Sequence, residues 1–111
     1  MDEEDDEGGE GELDDAIAVE ERTDQKVERP RRFRVILLND DYTTQDFVIQ
    51  VLQSIFNKSF PDAVALMLQV HYKGQAVCGI YPAQIAETKV AAVHARARAA
   101  GFPLRCAMEP E

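Results

Sequence analysis

Half of the first 28 residues are Asp or Glu, so any core this chain builds must come from residues 29–111. The chain as a whole carries 12 Lys and Arg against 21 Asp and Glu, a net charge of −9, but that figure averages two unlike segments. Residues 1–28 hold 14 acids and two bases, whereas residues 29–111 hold seven acids and ten bases and are mildly basic. Twelve of the acids crowd into Met1–Glu21 with three glycines and hardly any large apolar side chain. Such a segment buries too little surface to offset the entropy of ordering it, which predicts a disordered acidic extension over residues 1–28. Its default role is to solubilise. The same charge argues against nucleic acid as a partner, because a phosphate backbone repels it.

Residues 29–111 suffice for one small domain with a modest core. No stretch approaches the ~18 consecutive apolar residues of a spanning helix, and the N-terminus lacks the basic, apolar, small-residue progression of a signal peptide. A cytoplasmic monomer with no membrane partner is the expectation. Cys78 and Cys106 sit in apolar alternating segments without a Cys-x-x-Cys spacing, so they are expected as buried thiols, and no cofactor or metal is called for.

The run Phe33–Leu38 is β-branched and apolar and ends at Asn39-Asp40-Asp41, side chains that favour turns by bonding nearby backbone. Thr43 and Asp46 then form a Thr-x-x-Asp pair resembling a capping box, followed by Phe47, Val48, Val51, Leu52 and Ile55 at one-face spacing. A helix is expected from Thr43 or Thr44. Ser59 or Phe60 caps a second, with Pro61 in its first turn, running to about Tyr72 and stopped by Gly74. Gln75–Tyr81 is apolar on both faces, which predicts a central strand. Pro82 opens a third helix in which Ile85, Ala86, Val90, Val93 and Ala97 mark the buried stripe while Lys89, Arg96 and Arg98 face water, and Gly101 ends it. Leu104–Glu109 alternates as a last strand. The order βααβαβ predicts an α+β two-layer sandwich, a three-stranded antiparallel sheet with three helices over one face.

An ammonium group offers three N–H donors and a positive charge, so its receptor needs convergent acceptors, preferably with a carboxylate among them. Asn39, Asp40 and Asp41 supply such acceptors at a strand end, and a neutral His71 would add one more. Val48 facing Met67 and Val70 would leave an apolar cavity beside them. An amine next to one apolar side chain is what the N-terminal residue of a polypeptide presents. The same residues also have plain structural readings: a turn before a helix, a surface histidine, ordinary core. Spacing alone does not bring the first strand to the second helix. Two other chemistries fit His71 with Asp41. One is a small hydrolase with a general acid/base pair, although no Ser or Cys nucleophile has a recognisable setting. The other is a metal-binding protein using the acidic turn, with His94 away on the third helix.

The runs Val35–Thr43, Leu66–Gly74, Cys78-Gly79 and Ala86–Val90 resemble the ClpS family, adaptors of the ClpAP protease in the N-end rule pathway, in order and over roughly residues 30–109. The resemblance implies a non-enzymatic adaptor. It would capture substrates by an N-terminal Phe, Leu, Tyr or Trp and deliver these N-degron segments to the N-domain of a ClpA-type AAA+ unfoldase. It also implies that Asn39, Asp41 and His71 bind the α-amine. Leu37, Leu38, Asp40, Thr43, Val48, Met67, Val70 and Leu104 would line the side-chain pocket. The family commonly has Met at the pocket rim two residues after the Thr, excluding β-branched side chains; here that residue is Gln45. An altered preference among large side chains, as in a specialised paralogue, is expected. On the third helix, where members often carry a docking Glu, this chain has Gln84, while Lys89 is retained.

Overall fold

The computed structural model describes residues 30–111, and the expected extension over residues 1–28 lies outside the described residues. Six elements follow in the expected order: β1 (Arg32–Leu38), α1 (Gln45–Ser54), α2 (Phe60–Lys73), β2 (Gln75–Pro82), α3 (Ala83–Ala100) and β3 (Arg105–Pro110). The three strands form one antiparallel sheet, so the α+β two-layer architecture is as expected. Along β1, period-2 alternation sends Val35 and Leu37 to the face covered by the helices, where both are fully buried against Val51, Leu52, Val70 and Val93. Among the described residues, no helix is long and apolar enough to cross a membrane.

Local chemistry sets the helix ends. Ser59 Oγ accepts from the Asp62 N–H at 3.2 Å with Pro61 in the first turn, which starts α2. Gly74, with φ of 90°, ends it in a left-handed cap that leads straight into β2. α1 starts where expected, but not through the expected capping box. Thr44 is the cap, its Oγ1 accepting from the Phe47 N–H at 3.1 Å, and no Thr43–Asp46 box forms because Thr43 is bonded to Asp40 instead.

Three further expectations are corrected. The sheet order is β2-β1-β3, so β1 is central and β2 is an edge. The apolar residues on the second face of β2, Val77 and Ile80, remain about 39% and 40% exposed. The central strand carries two arginines that hide its position: Arg34 pairs with Glu109 at 3.3 Å, and Arg32 with Glu111 at 2.9 Å. On α3, Ile85 is exposed rather than buried, although the next residue, Ala86, is fully buried in the core. Lys89 does not face water; its Nζ donates to the Ile55 carbonyl at 2.7 Å.

The link from β1 to α1 is built on one carboxylate. Asp40 Oδ1 accepts from the N–H groups of Tyr42 at 2.8 Å and Thr43 at 2.7 Å, and Oδ2 accepts from Thr43 Oγ1 at 2.7 Å. Burial pushes the Asp40 carboxyl up, but the Thr43 and Tyr42 hydrogen bonds and nearby Arg105 together outweigh it and hold it below its ordinary value. The folded state therefore favours the ionised form more than the unfolded chain does. That contribution is complete above the unfolded pKa of about 4 and is lost as pH falls through the lower folded value. Replacing Asp40 by Ala is expected to cost about 1–3 kcal/mol at pH 7 and to flatten the loss of stability below about pH 4. Urea unfolding at pH 7 and pH 3 checks both, and equal stability of the two proteins at pH 7 would remove Asp40 from this role.

Candidate functional site

The reversal at Gly74 solves what spacing could not. Because α2 turns directly into β2, and β2 pairs with β1 from Leu38↔Gln75 onward, the end of α2 must lie beside the end of β1. The Asn39 N–H donates to the Gly74 carbonyl at 2.9 Å and fixes that junction. Asn39, Asp40 and Asp41 thus meet His71, three residues before the reversal, and α1 closes the third side with Gln45 and Val48.

Between them lies a cavity of about 210 Å³, lined by Asn39, Asp40, Asp41, Thr43, Gln45, Val48, Met67, Val70 and His71. It exceeds the ~150 Å³ in which an apolar protein cavity takes up a benzene molecule. Val48, Met67 and Val70 are buried, whereas Asn39, Asp41, Gln45 and His71 are exposed. The apolar and polar parts are therefore spatially divided: an apolar interior, with acceptors at its mouth.

The three neighbours of the acidic turn have separate duties. Both Asp40 oxygens are occupied within the turn, and the Asn39 backbone is tied to Gly74. Among the described residues, the side chains of Asn39 and Asp41 make no hydrogen bond, so their acceptors are available to a guest. The His71 ring stands edge-on to Tyr72, with centroids 4.8 Å apart.

Three residues assigned to the pocket from the family pattern lie elsewhere. Leu37 and Leu104 are in the packed core, and Leu38 alternates to the opposite face of β1 from Leu37, so none lines the cavity. Of the two docking residues, Gln84 is exposed on the first turn of α3, but the Lys89 ammonium is turned inward onto α1. Sequence reasoning read the acidic run as a backbone-bonding turn but did not single out Asp40 as the residue that makes those bonds. Its signal was present, since an Asp followed two and three residues later by free backbone N–H groups is the pattern of an Asx turn.

The hydrolase reading finds no support in this arrangement. The cavity holds no Ser or Cys, and its one hydroxyl, Thr43 Oγ1, donates to a carboxylate whose lowered pKa makes it a poor base. Cys78 and Cys106 are buried, and burial pushes both thiols up to about 12, far from reactive thiolates. Nor does the metal reading gain support. Among the described residues, no three His, Cys, Asp or Glu side chains gather to hold an ion, and His94 Nε2 accepts from the Cys106 N–H at 3.0 Å.

Comparison with known proteins identifies the family. Residues 28–107 match the family model for ClpS, ATP-dependent Clp protease adaptor protein. ATP-dependent Clp protease adapter protein ClpS of Desulfatibacillum aliphaticivorans is 60% identical over 87 residues, covering 78% of this chain and 84% of that protein. Its counterpart from Oleidesulfovibrio alaskensis is 63% identical over 86 residues, covering 78% and 83%. The solved structure of Agrobacterium tumefaciens ClpS2 bound to L-phenylalaninamide matches with a TM-score of 0.73 at 41% identity, over 75% of this chain and 100% of that one. The chain belongs to the ClpS family of Clp protease adaptor proteins.

Proposed function

We propose that this protein is a cytoplasmic adaptor that grips the free α-amine and large hydrophobic first side chain of N-degron substrates, an N-terminal Phe, Leu, Tyr or Trp. It then delivers them to the N-domain of a ClpA-type AAA+ unfoldase. The observation that carries this reading is the divided cavity: acceptors of Asn39, Asp41 and His71 at the mouth, and Val48, Met67 and Val70 beneath. An α-ammonium needs the first set and an apolar side chain the second, and the two parts of the guest are joined at one carbon. L-phenylalaninamide, the ligand of the similar ClpS2, has both parts.

Asp41 supplies the negative charge, Asn39 a neutral acceptor and His71 the lone pair of an unprotonated imidazole. Asp40 contributes from within the turn, holding Asp41 and Thr43 where the guest meets them. Gln45, at the first position of α1, forms the rim and sorts the side chains that enter.

A peptide beginning with Phe should bind, and its N-acetylated form should not, as read by fluorescence anisotropy; equal affinities would end the amine-site reading. Asp41→Ala is expected to weaken binding by roughly 10- to 100-fold, because a charged acceptor is lost, and His71→Ala by about 3- to 10-fold. Gln45→Met should change the ranking among Phe, Leu, Tyr and Trp on a peptide array without abolishing binding. An unchanged ranking would take Gln45 out of the selection. Removing residues 1–28 should leave peptide affinity intact and impair delivery. Full-rate degradation of an N-degron reporter by the shortened protein would show that the acidic extension has no part in delivery.

A further inference from the structure

α1 is a helix of only ten residues, about 15 Å long at 1.5 Å per residue, and its two ends have different neighbours. The N-terminal end supplies Gln45 and Val48 to the cavity. The C-terminal end is held from outside. Of its final carbonyls, Val51 O accepts from the Ile55 N–H and Leu52 O from the Lys58 N–H. The carbonyl of the cap residue Ile55 accepts from Lys89 Nζ at 2.7 Å. The last turn of α1 holds no basic residue of its own, so Lys89, reaching across from α3, provides the positive charge that a helix C-terminus favours.

That ammonium also stands 5.5 Å from the centroid of the Tyr81 ring on β2, and that ring lies across Gly79, where any Cβ would collide with it. One charge therefore joins α1, α3 and β2. A second tie runs beside it: Arg96 donates to Ser54 Oγ at 3.0 Å, and that hydroxyl donates to the Gln50 carbonyl at 2.7 Å.

We propose that Lys89 is a positioning residue for the peptide cavity, fixing the tilt of α1 through the Ile55 carbonyl and thereby setting the distance of Gln45 and Val48 from Met67 and Val70. This rests on the peptide-binding reading above. It differs from the docking role that the family resemblance gives Lys89, since a side chain that only meets an unfoldase has no effect on peptide affinity in the isolated protein. It also connects the α3 face bearing Gln84 to the cavity wall: a partner carboxylate that drew the ammonium away from Ile55 would loosen the grip on the bound chain end.

The test uses the full-length protein without unfoldase, at a temperature well below its unfolding transition. Lys89→Met keeps the length of the side chain and removes its charge, and Lys89→Arg restores the charge. Lys89→Met should weaken binding of a Phe-initiated peptide by roughly 3- to 10-fold and speed amide hydrogen exchange over residues 45–55. Lys89→Arg should return both toward wild type. Unchanged exchange over α1 in Lys89→Met overturns the proposal, whether or not the peptide binds. Faster exchange with unchanged peptide affinity overturns it equally, because α1 would then be loosened without consequence for the cavity. Failure of the wild-type protein to bind the peptide sinks the peptide-binding reading itself, and the link from Lys89 to a peptide cavity with it.

Discussion

β1 forms hydrogen bonds along both of its edges, to β2 and to β3, while its inward residues Val35 and Leu37 are excluded from water. A strand held in this way has no freedom to shift, since a slip of one residue would send Val35 and Leu37 to the open face and Arg34 into the core. The helices pack on what β1 presents, and the acidic turn projects from its end. The cavity has firm walls for that reason. The Asn39–Asp41 part of its polar rim continues the most constrained strand in the molecule, while His71 and Gln45 are brought to it by α2 and α1.

The acidic turn shows how three adjacent polar residues come to do different work. Asp40 spends most of its carboxylate's acceptor capacity on the backbone and on Thr43, which makes the geometry reproducible. Asn39 is tied through its main chain to Gly74 and keeps its amide free. Asp41 keeps its charge exposed. A binding site of this kind is stiff because one residue has been given over to stiffness, and charge repulsion between neighbouring carboxylates is moderated by the donors gathered around Asp40.

The element order, the cap at Ser59 and the left-handed residues Gly74 and Gly101 could be read from sequence because each depends on chemistry within a few residues. The place of β1 at the sheet centre could not. Its Arg32 and Arg34 look like the marks of a solvated edge until Glu109 and Glu111, more than 70 residues away, are seen to pair with them. The inward course of Lys89 depends likewise on a carbonyl 34 residues distant. For the site, the residue types were legible and their meeting was not: His71 reaches Asn39 through the Gly74 reversal and the pairing of β2, and neither leaves a mark on local spacing. The family resemblance bridged that gap. It overextended at Leu37, Leu38 and Leu104, which serve the core beneath the cavity rather than its lining.

The bond from the Cys106 N–H to His94 has a further meaning for the open edge of the sheet. β3 is an outer strand, and such a strand ordinarily offers unpaired main-chain donors on which another extended polypeptide can assemble. Here α3 lends an imidazole to one of those donors, and the template is interrupted at the second residue of the strand. A ClpS-family adaptor built in this way is thus discouraged from taking on a neighbouring polypeptide as an extra strand.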